Sequence, residues 1–263
     1  MSETIGESTP LERTITQELG PEFLKSVFTS RVFSERMWTL YKQYKMGKTL
    51  FSYQRFSVYK IDDEKIYVSP LTAMGEQFEK PPIHSAVFDS LKRFLADFRL
   101  ATIPQASLII SAHTHPWFFA SPRVTGREPM IGPSAFEEPG KGDLYCLLVW
   151  SRHQTPSVAI RRPLMMVITQ ELHPQIPIEF LLIQESEKLQ ATDENEVIKR
   201  LKEAQETLFR DAKTQQEIIE ILQQMQYRVA LFTLPEERFT GPHLFSDEDL
   251  AKISQFAYQK FGL

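Results

Sequence analysis

An α/β fold is what this chain of 263 residues predicts, and three stretches predict it. Residues 49–60 are rich in aromatic and β-branched side chains, Asp62-Asp63 supplies a turn, and 65–68 follow as a second strand, which together make a hairpin. Val87, Phe88, Leu91, Phe94, Leu95 and Phe98 then share one face of an amphipathic helix. Beyond it, 108–112 is an apolar run of strand length that delivers His113-Thr114-His115-Pro116, where the proline ends the strand.

The remaining elements follow in chain order. Residues 1–20 read as a loose polar segment, and order begins at Pro21, a residue suited to the first turn of a helix. Phe23, Val27, Phe33, Met37, Leu40, Tyr41 and Tyr44 recur at helical spacing, which predicts one long or broken helix. After the histidines, a Pro/Gly-rich excursion runs from Trp117 to Gly142, and loops of that length inside a domain are usually functional or mobile. Asp143 stands directly before the apolar run 144–150. It could cap a helix there, or the run could be a strand, and periodicity does not choose between them. Residues 157–160 and 164–168 read as strands.

The last third differs in character. Val197, Leu201, Ala204, Leu208, Ile218, Leu222 and Met225 fall on alternating four- and three-residue steps, with Asp211 and Gln215 as polar interruptions. That spacing predicts a long helix over 196–226, either a homodimer arm or a helix folded back on its own domain. Residues 229–232 can form a final strand, and Ser246-Asp247-Glu248-Asp249 opens a last helix with a capping pattern. The chain thus divides into a loose segment (1–20), a domain (21–185) and a helical extension (186–263).

Composition excludes several functions. A formal net charge of -4 with no clustered basic excess argues against a nucleic-acid surface. A hydrophobic share of 42% is ample for a packed core, yet no apolar run approaches a membrane span and the first residues lack a signal-peptide pattern. Cys146 is the one cysteine, so neither a disulfide framework nor a cysteine-based zinc site can form within the chain. Its place in an apolar run makes it a core residue, and the protein is expected to be cytoplasmic.

The histidines carry the chemistry. Two imidazoles one residue apart on an extended backbone point to the same side, so His113 and His115 can reach one ion. Catalytic zinc takes three protein ligands and keeps a position open. Asp143 is the best-placed third ligand, because it follows Gly140-Lys141-Gly142 and begins a regular element.

At this point the chain resembles the JAMM/MPN+ metalloprotease family, whose pattern is His-x-His-Pro, a loop, and Ser-x-x-Asp leading into a helix. The resemblance spans roughly Phe23 to Ile168. It implies an MPN/JAB1-like, cytidine-deaminase-like mixed sheet flanked by helices, with a Zn2+ ion held by His113, His115 and Asp143. It also implies hydrolysis of an amide or isopeptide bond in a protein or peptide substrate, of which ubiquitin-like conjugates are one class. Two alignments of the loop compete. One takes Asp143 with Gly140 at the serine position, and the other takes Ser134 with Glu137 as the ligand. The family's general base is a glutamate early in the preceding hairpin. Here that place reads Ser52-Tyr53-Gln54-Arg55, and the amide of Gln54 cannot take a proton. Either Glu76, Glu137 or Glu35 substitutes, or the domain is a non-catalytic interaction module that uses its C-terminal helix. Amidohydrolase-type barrels also place His-x-His at a strand end, but a barrel of about 250 residues with catalytic groups on several strands does not fit here.

Overall fold

The computed structural model describes residues 15–17, 19–45, 53–60, 66–74, 107–114, 132–136, 142–152, 158–160, 162–169, 178–212 and 214–257. Strand β1 (Ile15–Gln17) lies within the segment expected to be loose, and it pairs in parallel with β6 (Val158–Ile160). Pro21 opens helix α1 (Pro21–Thr29), which buries Leu24, Val27 and Phe28. The helix breaks at Ser30, whose N–H (3.2 Å) and hydroxyl (2.8 Å) both donate to the Val27 carbonyl. Helix α2 (Arg31–Lys45) resumes and buries Phe33, Met37 and Leu40. The broken form of the N-terminal helix is therefore the one adopted. The amphipathic helix expected around Val87–Phe98 lies outside the described residues.

The main sheet is mixed and open. Its strands are β2 (Tyr53–Lys60), β3 (Ile66–Val68), β4 (Thr72–Met74), β5 (Ser107–Thr114), β7 (Leu164–Thr169), β8 (Ile178–Glu185) and β9 (Tyr227–Leu234). They run in the order β3-β2-β5-β7-β8-β9, with β4 also paired to β2. The hairpin is present as the antiparallel β2–β3 pair. Among the described residues, β5 and β7 are the one parallel pair of this sheet, so the connection between them must cross over one face, as parallel neighbours require. Residues 144–150, ambiguous by periodicity, belong to helix α3 (Asp143–Arg152) within that crossover.

Strand alternation sorts the interior into two cores. One face carries Phe56, Val58, Ile110, Ala112, Leu164, Met166, Phe180, Leu182 and Phe232, and it packs against α1 and α2. The other carries Met165, Val167, Leu181 and Ile183, and it is covered by α3 and by the C-terminal helices. Those are α4 (Glu187–Gln190), α5 (Glu194–Ala204) and α6 (Gln215–Gln224). Helix α7 (Glu236–Thr240) and helix α8 (Asp247–Ser254) close the first core, and Ser246 and Asp249 form the expected capping box. Among the described residues, no helix is long and apolar enough to cross a membrane.

Two expectations for the extension need correction. The single long helix over 196–226 is instead broken, because Thr214 caps α6 afresh through a box with Glu217. The regular seam also slips by one residue. A π-helical turn spans Gln205–Phe209, so the buried position after Ala204 is Phe209 (2% exposed), while Leu208 is 43% exposed. A five-residue turn rotates the following side chains relative to a 3.6-residue helix. Val197, Leu201, Ala204, Ile218 and Leu222 are all buried in the chain's own second core. The folded-back form is the one observed, and β9, drawn from the same extension, supplies an edge of the sheet.

At the sheet end remote from His113, Glu185 is buried and accepts a hydrogen bond from Ser151 Oγ (2.5 Å). Burial pushes its carboxyl from an ordinary 4.5 to about 6; the Ser151 hydroxyl and the charge of Arg152 oppose the shift, and Glu194 adds to it. The cross-strand Tyr227 phenol is also raised, by burial and then by the Glu185 charge. The folded state therefore holds a proton that the unfolded chain has released between those two values, so stability falls as pH rises through that window. The loss amounts to about 2 kcal/mol. Glu185→Gln is expected to be more stable than the wild type at pH 8 by up to about that amount, and to flatten the decline. Urea titrations at pH 4.5 and pH 8 check this, and equal pH dependence in both proteins would contradict it.

Candidate functional site

The site forms where the C-terminal end of β5 meets the N-terminal end of α3. His113 stands opposite Val167 of β7 and opposite Arg55 of β2, so its side chain lies on the face that α3 covers. Its Nε2 is 3.1 Å from Asp143 Oδ1. The two residues lie on either side of the Pro/Gly-rich excursion, and only the crossover brings them together.

Asp143 occupies the first position of α3 rather than its cap. The Gly142 carbonyl accepts the first helical hydrogen bond, from Cys146 N–H (2.9 Å). Gly142 has φ of +111°, and a Cβ there would sit 2.8 Å from Phe136 Cα, so both conformation and space demand glycine. Released from capping, the Asp143 carboxylate turns to Ser134. Its Oδ2 accepts from Ser134 N–H (2.8 Å) and Ser134 Oγ (3.1 Å), while Asp143 N–H donates to Ser134 Oγ (3.0 Å). The next two amides of the helix are satisfied by the same segment: Leu144 N–H donates to the Ser134 carbonyl (3.0 Å) and Tyr145 N–H to that of Ala135 (3.2 Å). One carboxylate oxygen is thus held, and the other faces the imidazole. Placing the anion at a helix N-terminus is also electrostatically favourable.

The two competing loop alignments meet here. Ser134 comes from one and Asp143 from the other, and residues 135–142 intervene in sequence between partners that touch in space. The signal that could have found this was Gly142, since a left-handed glycine before a helix marks a sharp re-entry of the chain.

Gln54 is buried, and its N–H donates to Thr114 Oγ1 (2.9 Å). Alternation groups Gln54 with Phe56 and Val58, on the face opposite to His113. The residue of β2 that shares the histidine's face is Arg55, whose guanidinium lies 5.7 Å from the Trp150 ring centroid, within cation–π range. Neither Arg55 nor Trp150 was singled out from sequence, because their proximity depends on register. Glu35 is exposed on α2, where it pairs with Arg31. His115, Glu76 and Glu137 lie outside the described residues. Among the described residues, no group of three His, Cys, Asp or Glu side chains converges. Cys146, expected as a core residue, is half-buried.

The two donors that meet are of a type that zinc accepts. Two ligands about 2.0–2.1 Å from a tetrahedral ion are roughly 3.3 Å apart. The imidazole nitrogen and carboxylate oxygen at 3.1 Å therefore need to separate only slightly to share one. Nitrogen and oxygen donors are also the set that zinc accepts in sites able to keep an open position. Comparison of the chain with protein-family models, with curated proteins and with solved structures gives no match.

Proposed function

We propose that this protein is a zinc-dependent hydrolase of the JAMM type, acting on an amide or isopeptide bond, with His113, His115 and Asp143 as the metal ligands. The observation that carries the proposal is the 3.1 Å approach of His113 Nε2 to Asp143 Oδ1. Ser134 supports it further, since it holds the second carboxylate oxygen and thereby aims the first. A serine–aspartate pair is also what the resembled family carries at this point, although here the two are separated by an insertion. When bound, zinc supplies a Lewis acid that polarises a carbonyl and acidifies water at neutral pH. Arg55, on the same face, contributes positive charge that would favour an anionic or oxyanionic group of the substrate. Glu76 and Glu137 are the carboxylates proposed to receive the proton.

A second function is favoured by one specific observation. The β2 residue beside His113 is a cation, and Gln54 belongs to the opposite face, which suits a non-catalytic interaction module that recruits a partner through its C-terminal helix. One experiment separates the two. Purified protein is expected to hold about one zinc per chain by elemental analysis, and the loaded protein to cleave a panel of isopeptide-linked and peptide substrates. Cleavage would select the hydrolase; zinc without cleavage, or no zinc in the wild type, would rule it out and leave the interaction module.

A further inference from the structure

The segment that fixes Asp143 is itself fixed from outside the metal-binding half of the chain. Residues 132–136 lie between α3 and the C-terminal helices. On the α3 side they receive the first amides of the helix, as described above. On the other side, the Gln205 side-chain carbonyl accepts from Ala135 N–H (2.6 Å) and lies 3.4 Å from Phe136 N–H. Lys202 Nζ sits 4.6 Å over the Phe136 ring, and Gly132 is so close to Ile218 that an added Cβ would lie 2.6 Å from it. Ala135 is fully buried, so its N–H has no access to water and depends on this acceptor.

Gln205 is also the first residue of the π-helical turn. Such turns are rare in helices and recur at functional positions. Here the turn begins at the residue that reaches across to the site, and it shifts the apolar seam so that Phe209 replaces Leu208 in the core.

We infer that Gln205 is a positioning residue for the metal pair: through Ala135 and Ser134 it sets the Asp143 carboxylate against His113, which makes the C-terminal helices an integral part of the site. This inference rests on the proposed metal centre for its function, but its contacts can be tested without metal. The hydrogen bonds run in one chain, from Gln205 to Ala135, through the adjoining Ser134 to Asp143. Partners hydrogen-bonded directly to a ligand, as Ser134 is to Asp143, usually change metal affinity 10- to 100-fold when lost, and Gln205, one step further out, should change it by up to about tenfold.

The test uses the full chain and Co2+ as the probe ion. Gln205→Leu removes the acceptor, Gln205→Asn withdraws it by one methylene as a milder change, and Gln205→Glu keeps an oxygen in place. The Leu and Asn variants are expected to bind Co2+ several-fold to about tenfold more weakly, with an altered visible spectrum, whereas Gln205→Glu recovers most of the affinity. In metal-free protein, amide exchange at Ala135 and Ser134 should accelerate in the Leu and Asn variants and return towards wild type in the Glu variant. Wild-type affinity and spectrum in Gln205→Asn, or a Glu variant as weak as the Leu variant, would overturn the inference. If the wild type binds no Co2+, the metal reading fails separately. Exchange at Ser134 and Asp143 then decides, and unchanged protection in Gln205→Asn overturns the positioning role.

Discussion

With Asp143 as a ligand of the proposed zinc site, Asp143→Ala is expected to weaken zinc binding by at least about 100-fold, because loss of a ligand should exceed the 10- to 100-fold typical of losing a residue that merely orients one. The substitution has a second consequence. Ser134 loses the acceptor for both its N–H and its hydroxyl, and Ser134 is buried. An unsatisfied buried donor costs about 1–3 kcal/mol, so the variant should also be less stable. Asp143→Asn separates the effects, since it retains an oxygen for Ser134 and the volume of the side chain but carries no charge. It should melt near the wild type and still bind zinc at least about tenfold more weakly. Titration calorimetry with competition by a chelator measures the affinity and thermal melting the stability, and wild-type affinity in Asp143→Ala would exclude this residue as a ligand. His113→Ala provides the companion measurement on the opposite side of the pair.

The second large effect is on stability and is remote from the site. Phe180 of β8 is fully buried, stacks on cross-strand Phe232 at 4.9 Å and 9°, and meets Phe245 edge-on at 6.2 Å. Phe245 in turn contacts Phe28 and Phe33 of α1 and α2. This ring cluster joins the sheet to the N-terminal helices and to the segment before α8. Phe180→Ala is expected to destabilise the fold by about 3–5 kcal/mol, the range for a large aromatic removed from a close-packed core. For a chain of this size that lowers Tm by roughly 10 °C. Because β7 pairs with both β8 and the histidine strand, the His113–Asp143 pair should keep its local geometry until the whole sheet melts. Thermal denaturation followed by circular dichroism checks the first part, and a loss under 1 kcal/mol would show that the cluster repacks around the void.

Much of the fold was legible from local pattern. The hairpin residues, the strand that delivers His113 and the capping box at Ser246 are short-range features, in which side-chain alternation or a three-residue spacing specifies the element. Pro21 marked the start of α1 for the same reason. What failed depended on distant partners. The seam from Val197 to Met225 looked continuous because its four- and three-residue steps are continuous, yet Thr214 starts a new helix and the turn at Gln205 advances the register. Nothing local in Leu208-Phe209 says which of two large apolar residues faces inward. The second core decides it, and it buries Phe209.

For the site, the sequence by itself determined the chemistry available: an imidazole pair at a strand end, a carboxylate at the start of a regular element, and no cysteine ligand set. Residue type and backbone period suffice for that, since they govern which donors exist and which way they project along one strand. Only the tertiary structure decided which donors meet. The parallel pairing of β5 with β7 requires a crossover, that crossover contains α3, and α3 brings Asp143 Oδ1 within 3.1 Å of His113 Nε2. It also decided that Ser134 holds the aspartate, that Arg55 rather than Gln54 shares the histidine's face, and that Gln205 braces the segment that carries Ser134. These facts depend on strand register and helix docking, which are set by the burial of the whole apolar surface and therefore cannot be read from any short stretch of the chain.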